Sequence, residues 1–407
     1  MPDVSFLEVM LHGKPIGTLT LVQGLRTLFA FNEDYVEDAA RPTLSLSFKD
    51  QFGGLITEQH PVQRVVPPFF SNLLPEGPLR DYLAKRAGVN AGREFFLLWV
   101  LGRDLPGAVS VRPADGEALP PEVGDILGEP DTRNRLRFSL AGVQLKFSAL
   151  KNNGRGGGLT IPAQGVGGHW IVKLPSMQYP GMPENEFSMM SLAAKMGMDV
   201  PELQLVDLDA LDGLPDGIGE LKGRALAVKR FDRSDDGPVH MEDFAQVFGL
   251  FPEEKYGKRT YRSIANVVYL EAGVAALAEY IRRLVFSTLI GNADMHLKNW
   301  SLLYPDTRNA TLSPAYDLLS TVPYIEDETA ALRYVKTRKM TEFSVEELKR
   351  LAAKALLPEK PVLDAAAETV ARFRDIWPQE RGHLALESKV AAAVEAHLQR
   401  VPLYREL

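Results

Sequence analysis

The stretch Gly291-Asn-Ala-Asp-Met-His-Leu-Lys-Asn-Trp300 carries the strongest signal in this 407-residue sequence, and it places Asp294 five positions before Asn299. A loop carboxylate can orient a hydroxyl group and remove its proton. An amide oxygen is a hard ligand of the kind that Mg²⁺ prefers. The stretch therefore predicts a catalytic loop in which Asp294 is the base and Asn299 is a metal ligand.

The segments around this loop support the same interpretation. Val268–Leu289 is apolar with helical periodicity, and a predicted hairpin follows the loop, with strands at Trp300–Tyr304 and Ala310–Leu312. The hairpin returns the chain to Asp317, the predicted second metal ligand. Protein kinases have the same spacing from catalytic Asp to metal-binding Asn. An Asp-x-x-x-x-Asn motif alone is also common where these residues simply cap turns. The helix before it and the hairpin after it therefore favour the catalytic interpretation.

Lys173 lies in the apolar run Trp170-Ile-Val-Lys-Leu174, which predicts a short buried strand. A charged group in such a strand needs a partner. The next predicted helix, Glu184–Gly197, supplies Glu186 as a candidate, and a kinase strand lysine pairs in this way while it contacts the ATP phosphates. The alternative is an exposed lysine on an edge strand.

Three further segments are candidates for nucleotide contacts. In a two-lobed kinase the end of the strand Arg224–Asp232 would face adenine, with backbone groups binding the base and Phe231 packing on its face; an ordinary strand end with solvated charges is the alternative. Ser139–Lys146 is the preferred phosphate loop, because the glycines at 154–158 lack a Gly-Lys-Ser/Thr ending. His296 is interpreted as a residue that orders the catalytic loop.

The remaining sequence predicts an α+β, two-lobed, protein-kinase-like fold. The N-terminal part predicts strands at 4–11 and 16–22, helices at 69–87 and 94–101 and a strand at 108–112, followed by a linker rich in Pro, Gly and acidic residues at 113–132. The predicted domains are a β-rich subdomain at 1–115, a small-lobe-like region at 116–240 and a mostly helical C-terminal lobe at 241–407.

The composition restricts the possible functions. The sequence has no cysteine, which excludes disulfides and thiolate metal sites. A formal charge of −7 and a pI of about 5.7 disfavour DNA binding by the chain alone. The N-terminus has no basic leader, and no apolar run approaches the roughly 20 residues of a membrane helix. A cytoplasmic protein without membrane contact is expected.

Several motifs, taken in order, resemble the HipA serine/threonine kinases, the toxins of bacterial toxin–antitoxin pairs. The resemblance covers nearly the whole chain and is carried by Asn72-Leu-Leu-Pro-Glu76, Gly102-Arg-Asp-Leu-Pro-Gly-Ala-Val109, Phe138-Ser-Leu-Ala-Gly-Val-Gln-Leu-Lys146, Ile171-Val-Lys-Leu-Pro175, Glu184-Asn-Glu186, Ala227-Val-Lys-Arg-Phe-Asp-Arg233, Glu242-Asp-Phe-Ala-Gln-Val-Phe-Gly249, Leu289–Asn299 and Pro314-Ala-Tyr-Asp317.

The resemblance implies a HipA-type fold, ATP and Mg²⁺ as cofactors, and a protein substrate, an aminoacyl-tRNA synthetase of the glutamyl type. It implies a HipB-like helix-turn-helix antitoxin, operator DNA bound only through that complex, and inactivation by autophosphorylation at Ser139. Lys229 departs from the family, whose founding member has an acidic residue there. The nucleotide contacts carried over are Ala141, Gly142, Val143, Gln144, Leu145, Lys146, Lys173, Lys229, Phe231, His296, Leu297, Lys298, Asn299 and Asp317.

Two other functions are compatible with parts of the sequence. The Gly-x-x-Asp-x-His-x-x-x-Asn string also resembles the catalytic loops of small-molecule and lipid kinases, for which an acidic pocket beside the base is expected. A binding subunit without catalysis is the second alternative. The presence of Asp294, Asn299 and Asp317 together argues against it, because a protein without catalysis would not need all three.

Overall fold

The computed structural model describes residues 5–22, 24–114, 146–151, 159–160, 168–176, 178–214, 221–325 and 328–407. The predicted linker beyond residue 114, Ser139 and most of the predicted phosphate loop, Ala141–Leu145, lie outside the described residues, as does the glycine-rich turn at 152–158.

The described residues form sixteen strands and eleven helices. The strands are β1 (Ser5–Leu11), β2 (Lys14–Val22), β3 (Arg26–Phe31), β4 (Val62–Gln63), β5 (Val109–Pro113), β6 (Lys146–Lys151), β7 (Leu159–Thr160), β8 (Trp170–Lys173), β9 (Leu203–Asp207), β10 (Leu211–Asp212), β11 (Arg224–Lys229), β12 (Arg233–Ser234), β13 (Gly237–Pro238), β14 (His240–Asp243), β15 (Ser301–Tyr304) and β16 (Thr311–Leu312). The helices are α1 (Glu33–Glu37), α2 (Pro68–Ser71), α3 (Gly77–Ala87), α4 (Glu94–Leu101), α5 (Met182–Lys195), α6 (Phe244–Val247), α7 (Tyr261–Leu289), α8 (Val345–Lys354), α9 (Glu359–Glu380), α10 (Ser388–Leu398) and α11 (Pro402–Glu406).

The chain divides into two compact units, and neither is continuous in sequence. The first unit comprises the described part of Met1–Val143 together with Asp232–Glu254 and Leu303–Asn309. The second unit comprises the described part of Gln144–Phe231 together with Lys255–Leu302 and Ala310–Leu407. The predicted three consecutive domains divide the chain differently. The second unit joins most of the predicted small-lobe-like region to most of the predicted C-terminal lobe, and Asp232–Glu254 and Leu303–Asn309 belong to the first unit.

The first unit is built on a five-stranded antiparallel sheet in the order β4–β3–β2–β1–β5. Leu7, Val9 and Leu11 alternate along β1 and are fully buried, as expected for a strand with one face on a core. The core continues into an aromatic cluster in which the Phe29 ring lies 4.8 Å from that of Phe70. The predicted β-rich character of this region is therefore confirmed.

The bounds of one predicted helix are wrong. The sequence predicts a single helix over 69–87, whereas the structure has α2 and α3 separated at residues 72–76. Pro75 has no N–H and disfavours a helical conformation of the preceding residue. Asn72 also ends α2, because its Nδ2 donates to the carbonyl of Pro68 at 2.8 Å.

The second unit contains a six-stranded sheet in the order β10–β7–β6–β8–β11–β9. Val172 faces the buried core of this sheet, so the alternation of β8 points Lys173 to the opposite face. Helix α5 packs against β9 and β11. The chain runs from β8 through α5 to β11 as predicted, with two strands that were not predicted, β9 and β10, before β11. The structure thus brings a lysine in a buried strand and a helix carrying Glu186 together.

Helix α7 begins after Thr260, whose hydroxyl caps the helix by accepting from the N–H of Ser263 at 3.2 Å. It packs against α9. Contrary to the sequence expectation, α7 is long and apolar enough to cross a membrane by length and composition, the one such helix among the residues described. Gly273 breaks it with φ 83° and ψ −174°. Most residues from Leu277 onward are buried in this unit, whereas about a third of the most apolar 18-residue stretch of the helix is buried.

Candidate active site

The predicted catalytic loop begins two residues after α7. Gly291 has a φ of 67°, and a Cβ atom there would lie 2.7 Å from Cγ1 of Val322, so the position requires glycine. The carbonyl of Gly291 accepts from the N–H and the hydroxyl of Thr321, at 3.0 and 2.9 Å. The same hydroxyl accepts from the N–H of Ala293 at 2.8 Å. These bonds hold the loop against the segment that follows Asp317.

Asp294 is buried in the loop, and its carboxylate has a fixed orientation. Its Oδ1 accepts a hydrogen bond of 2.6 Å from the hydroxyl of Tyr256, and its N–H donates to Oδ1 of Asn292 at 3.1 Å. The Tyr256 ring also packs edge-on against His296 at 5.1 Å between centroids. Sequence reasoning did not identify Tyr256, because it lies 38 residues before Asp294 and outside any motif. Its contact supports the interpretation of His296 as a residue that orders the loop.

Asn299 lies in a single 3₁₀ turn after His296 and is buried. Its Nδ2 donates to the carbonyl of Asp294 at 2.9 Å. The side-chain nitrogen thus closes the loop on itself. The amide oxygen is the atom of this side chain that can coordinate a metal.

Lys173 pairs with two carboxylates. Its Nζ lies 2.5 Å from Oε1 of Glu186, which confirms the predicted pair, and it also contacts Oδ1 of Asp317. The Lys173 and Glu186 side chains are 11% and 3% exposed, whereas Asp317 is 22% exposed. Asp317 is therefore the member of this cluster that keeps some access to solvent or a ligand.

The charges of this cluster are strongly coupled. Burial raises the pKa of Glu186 to about 7, against the opposing effect of Lys173. Burial also acts to raise the pKa of Asp317, but the ammonium groups of Lys173 and Lys146 outweigh it and lower that pKa well below its ordinary value. Asp317 is thus held as a carboxylate, the form that binds a cation. The pKa of Lys173 is raised despite its burial, because Asp317 and Glu186 stabilise the ammonium.

The backbone of Asp317 is unusual. Its φ is 54°, in the left-handed region that residues other than glycine seldom occupy. Strained conformations of this kind persist where the surroundings determine them, and they occur often at functional sites. Asn292 Nδ2 donates to the carbonyl of Asp317 at 3.4 Å, so the catalytic loop and the Asp317 segment are in direct contact.

Lys146, the last residue of the predicted phosphate loop, pairs directly opposite Lys173 in the register of β6 and β8. Lys146 adds an ammonium group near Lys173, whose own charge is balanced by Glu186 and Asp317. This added positive charge attracts phosphate groups. The sequence prediction that both lysines contact one nucleotide is compatible with this register.

The predicted adenine-facing segment lies at the end of β11. The N–H of Lys229 already donates to the carbonyl of Glu202 at 2.9 Å, and that of Arg230 to His169 at 2.7 Å. The exposed Lys229 side chain lies 3.5 Å from Glu202. The Phe231 ring lies 5.5 Å from that of Tyr316. The backbone N–H groups of Lys229 and Arg230 are therefore already hydrogen-bonded within the protein. Recognition of adenine by this segment would have to use other backbone groups.

The oxygen ligands present suit Mg²⁺. Asp317 supplies a carboxylate and Asn299 an amide oxygen, and Mg²⁺ usually takes one or two protein ligands and completes its shell with water and substrate phosphates. In the described part of the chain there is no cluster of three or more His, Asp and Glu side chains that could hold a metal alone. The metal role of both residues stays a prediction.

The comparisons with known proteins agree over the whole chain. Residues 138–377 match the HipA-like C-terminal domain and residues 7–112 the HipA N-terminal domain. A relative from Sinorhizobium fredii, "Putative kinase Y4dM", is 64% identical over 100% of this chain and 99% of its own length. "Serine/threonine-protein kinase toxin HipA" of Shewanella oneidensis is 29% identical over 64% of each chain.

Among solved structures, the Shewanella oneidensis MR-1 toxin–antitoxin complex of HipA, HipB and operator DNA aligns with a TM-score of 0.73 and 23% identity. The alignment covers 98% of this chain and 96% of that chain. The fold is thus an α+β fold of the kinase-like class. Because the family match spans more than half of its residues, the chain belongs to the HipA kinase family.

Proposed function

We propose that this chain is a serine/threonine protein kinase that uses ATP and Mg²⁺. The observation that carries the proposal is the buried cluster of Lys173, Glu186 and Asp317. The backbone carbonyl of Asp317 also accepts a hydrogen bond from Asn292, in the loop that contains Asp294. Protein kinases need this combination: a strand lysine paired with a helix carboxylate, a metal-binding aspartate and a catalytic-loop aspartate.

Each group then has a defined task. Asp294, oriented by Tyr256, accepts the proton of the substrate hydroxyl during attack. Lys173 and Lys146 bind phosphate oxygens, and Glu186 holds the Lys173 ammonium in place. Bound Mg²⁺ neutralises charge on the phosphates, and the oxygens of Asn299 and Asp317 would hold it. The nucleotide contacts named from the sequence complete the proposed site.

We further propose that the kinase is the toxin of a toxin–antitoxin pair in the bacterial cytoplasm. Support comes from the Shewanella relative, which is named a kinase toxin, and from the similar structure, which is a complex with HipB and operator DNA. A HipB-like helix-turn-helix protein is the proposed partner, and the net charge of −7 requires that the partner supply the attraction to DNA. The complex would repress its own operon.

The proposed substrate is an aminoacyl-tRNA synthetase of the glutamyl type, whose phosphorylation would stall translation and produce dormancy. The support for this choice is the family resemblance of the ordered motifs. Surfaces that select a target vary on one fold, so the target needs its own test. Autophosphorylation at Ser139 is the proposed off-switch.

The experiment is phosphate transfer from labelled ATP, with wild type, Asp294→Asn and the control Asp375→Asn, whose exposed carboxylate lies on α9. Candidate synthetases are supplied in parallel with sugars and aminoglycosides. We expect labelling of a protein by wild type and the control, and loss of at least about a hundredfold in Asp294→Asn. Wild-type transfer by Asp294→Asn would remove the base role, and labelling of small molecules alone would favour the small-molecule kinase.

A further inference from the structure

The first unit contains a cavity of about 430 Å³ that the proposed phosphate transfer does not use. Its walls come from residues 35–45, 48–55 and 308–309, all within this one unit. The volume lies in the ordinary range for small-ligand pockets, which is roughly 300–1,000 Å³. The cavity is therefore large enough for a compact ligand.

The charge of the lining is one-sided. Arg41, Lys49 and Arg308 line the cavity, and no aspartate or glutamate does. In the portion of the chain that the structure describes, none of these three cations forms an ion pair with a carboxylate. Three cations that form no ion pair give this cavity a local positive charge in a protein of net charge −7, and such a charge attracts anions.

Both guanidinium groups are held in place by backbone carbonyls. Nη1 of Arg41 donates to the carbonyls of Val36 and Asp38, at 3.2 and 3.1 Å, and Nη2 of Arg308 donates to that of Ala39 at 3.1 Å. A guanidinium has five N–H donors, so these bonds leave others for a ligand. Groups anchored in this way lose less conformational freedom on binding.

The wall that carries Arg308 is also fixed. The N–H of Thr43 donates to the carbonyl of Thr307 at 2.8 Å, and its hydroxyl donates to the carbonyl of Arg308 at 2.9 Å. The Asp306 carboxylate accepts from the N–H groups of Arg308 and Asn309, at 2.9 and 2.7 Å. The cavity therefore exists before any ligand enters.

Two carboxyl groups bond to lining residues from outside the cavity: the exposed Asp306, whose charge water and salt screen, and Glu242. Glu242 accepts from the hydroxyl of Ser45, a lining residue, at 2.5 Å and from the N–H of Leu46 at 3.0 Å. Burial raises the pKa of Glu242 to about 7. Its negative charge is therefore partly neutralised near neutral pH and opposes an anion in the cavity only weakly.

We propose that this cavity binds a small oxyanion with two or more negative charges, a polyphosphate or a polycarboxylate. Two guanidiniums and an ammonium around one cavity match several anionic groups on one molecule. Guanidinium forks bind phosphate and carboxylate with similar geometry, so the lining selects the charge and size of the ligand. The site is independent of the proposed kinase chemistry.

Titration calorimetry on the full chain tests the site, at low ionic strength and without divalent cations, with pyrophosphate and citrate as probes. We expect one anion bound in this cavity per chain, besides any pyrophosphate bound at Lys173 and Lys146, and losses of cavity affinity of roughly tenfold or more in Arg41→Gln, Lys49→Gln and Arg308→Gln. The matched control is Arg26→Gln, because Arg26 is an exposed residue of the same unit outside the cavity. It removes the same charge and should keep wild-type affinity.

The two probes separate the sources of the ligand, because tighter binding of one identifies phosphate or carboxylate chemistry. Thermal melting of each variant checks folding; Arg308 is exposed, so its variant should melt as wild type does. Wild-type anion affinity in both Lys49→Gln and Arg308→Gln would overturn the proposal. So would anion binding that is lost in Lys173→Met but unchanged in the three cavity variants. Binding of a polyglutamate peptide but of neither small anion would overturn it and assign the surface to a protein partner.

Discussion

Replacing Lys173 by methionine removes the ammonium group that neutralises two carboxylates. Loss of one partner of a buried ion pair typically costs about 3–5 kcal/mol, because the other charge stays buried. Here Glu186 is 3% exposed, whereas Asp317 at 22% can recover some hydration. Glu186 can also take up a proton, because its pKa is already about 7. We therefore expect Lys173→Met to lower the free energy of unfolding by about 3 kcal/mol at pH 7, the lower end of this range.

The pH dependence has a definite sign. The pKa of Glu186 in the folded protein is raised, so its contribution to stability is complete at low pH and is lost as pH rises through about 7. Without Lys173 this pKa rises further, since the charge that favoured ionisation is gone. The folded variant then binds more protons than wild type near neutrality. The stability difference between the two proteins should widen from pH 6 to pH 8.

Denaturant unfolding at both pH values measures this difference, and phosphate transfer measures activity. The double variant Lys173→Met/Glu186→Gln neutralises one stranded carboxylate and should recover about 1–2 kcal/mol. It should recover no activity, because the ammonium group proposed to bind phosphate is still absent. A single variant as stable as wild type at pH 8, or a double variant with wild-type activity, would refute this account of Lys173.

Three further outcomes are expected. Asp317→Ala should weaken binding of Mg²⁺-ATP by roughly tenfold or more and binding of metal-free ATP by less, as measured by titration with and without Mg²⁺; equal losses would contradict a metal role. Tyr256→Phe keeps the ring against His296 but removes the hydrogen bond to Asp294, so kcat should fall roughly tenfold with little change in KM; an unchanged kcat would show that the hydroxyl does not position the base. Peptide mass spectrometry after incubation with Mg²⁺-ATP should find phosphate on Ser139 in wild type and none in Asp294→Asn, and ATP binding should weaken because a phosphoserine adds roughly −1.5 to −2 charge beside the phosphates; an unmodified Ser139 in active enzyme would remove this switch.

The sequence was sufficient where partners are close along the chain. Lys173 and Glu186 lie on consecutive elements, so an apolar strand followed by an amphipathic helix was enough to predict their pairing. Asp317 lies 144 residues beyond Lys173, and its contact with Lys173 depends on how distant segments meet. Tyr256 gave no signal for a similar reason, since a lone tyrosine between helices has no periodicity that indicates a hydrogen bond to Asp294.

Breaks in helices were the other structural feature that the sequence predicted poorly. The apolar periodicity of α7 continues on both sides of Gly273, so the pattern of side chains predicts one helix although the backbone turns there. Conversely, Pro75 signalled the gap between α2 and α3, but the apolar residues around it resemble a continuous helix. Both cases show that periodicity identifies a buried face more reliably than it identifies where a helix stops.

The discontinuity of the first unit has a consequence for synthesis on the ribosome. Glu242, from its second segment, binds Ser45, and Tyr304, from its third, donates to Glu242. A nascent chain that has emerged only to residue 114 does not yet contain Asp232–Glu254 and Leu303–Asn309, the second and third segments of this unit. At typical rates of about 5–20 residues per second, the roughly 195 residues up to Asn309 take about 10–40 s. During that interval Ser45 lacks its Glu242 partner, so the first unit reaches its full set of contacts only after its third segment has been made.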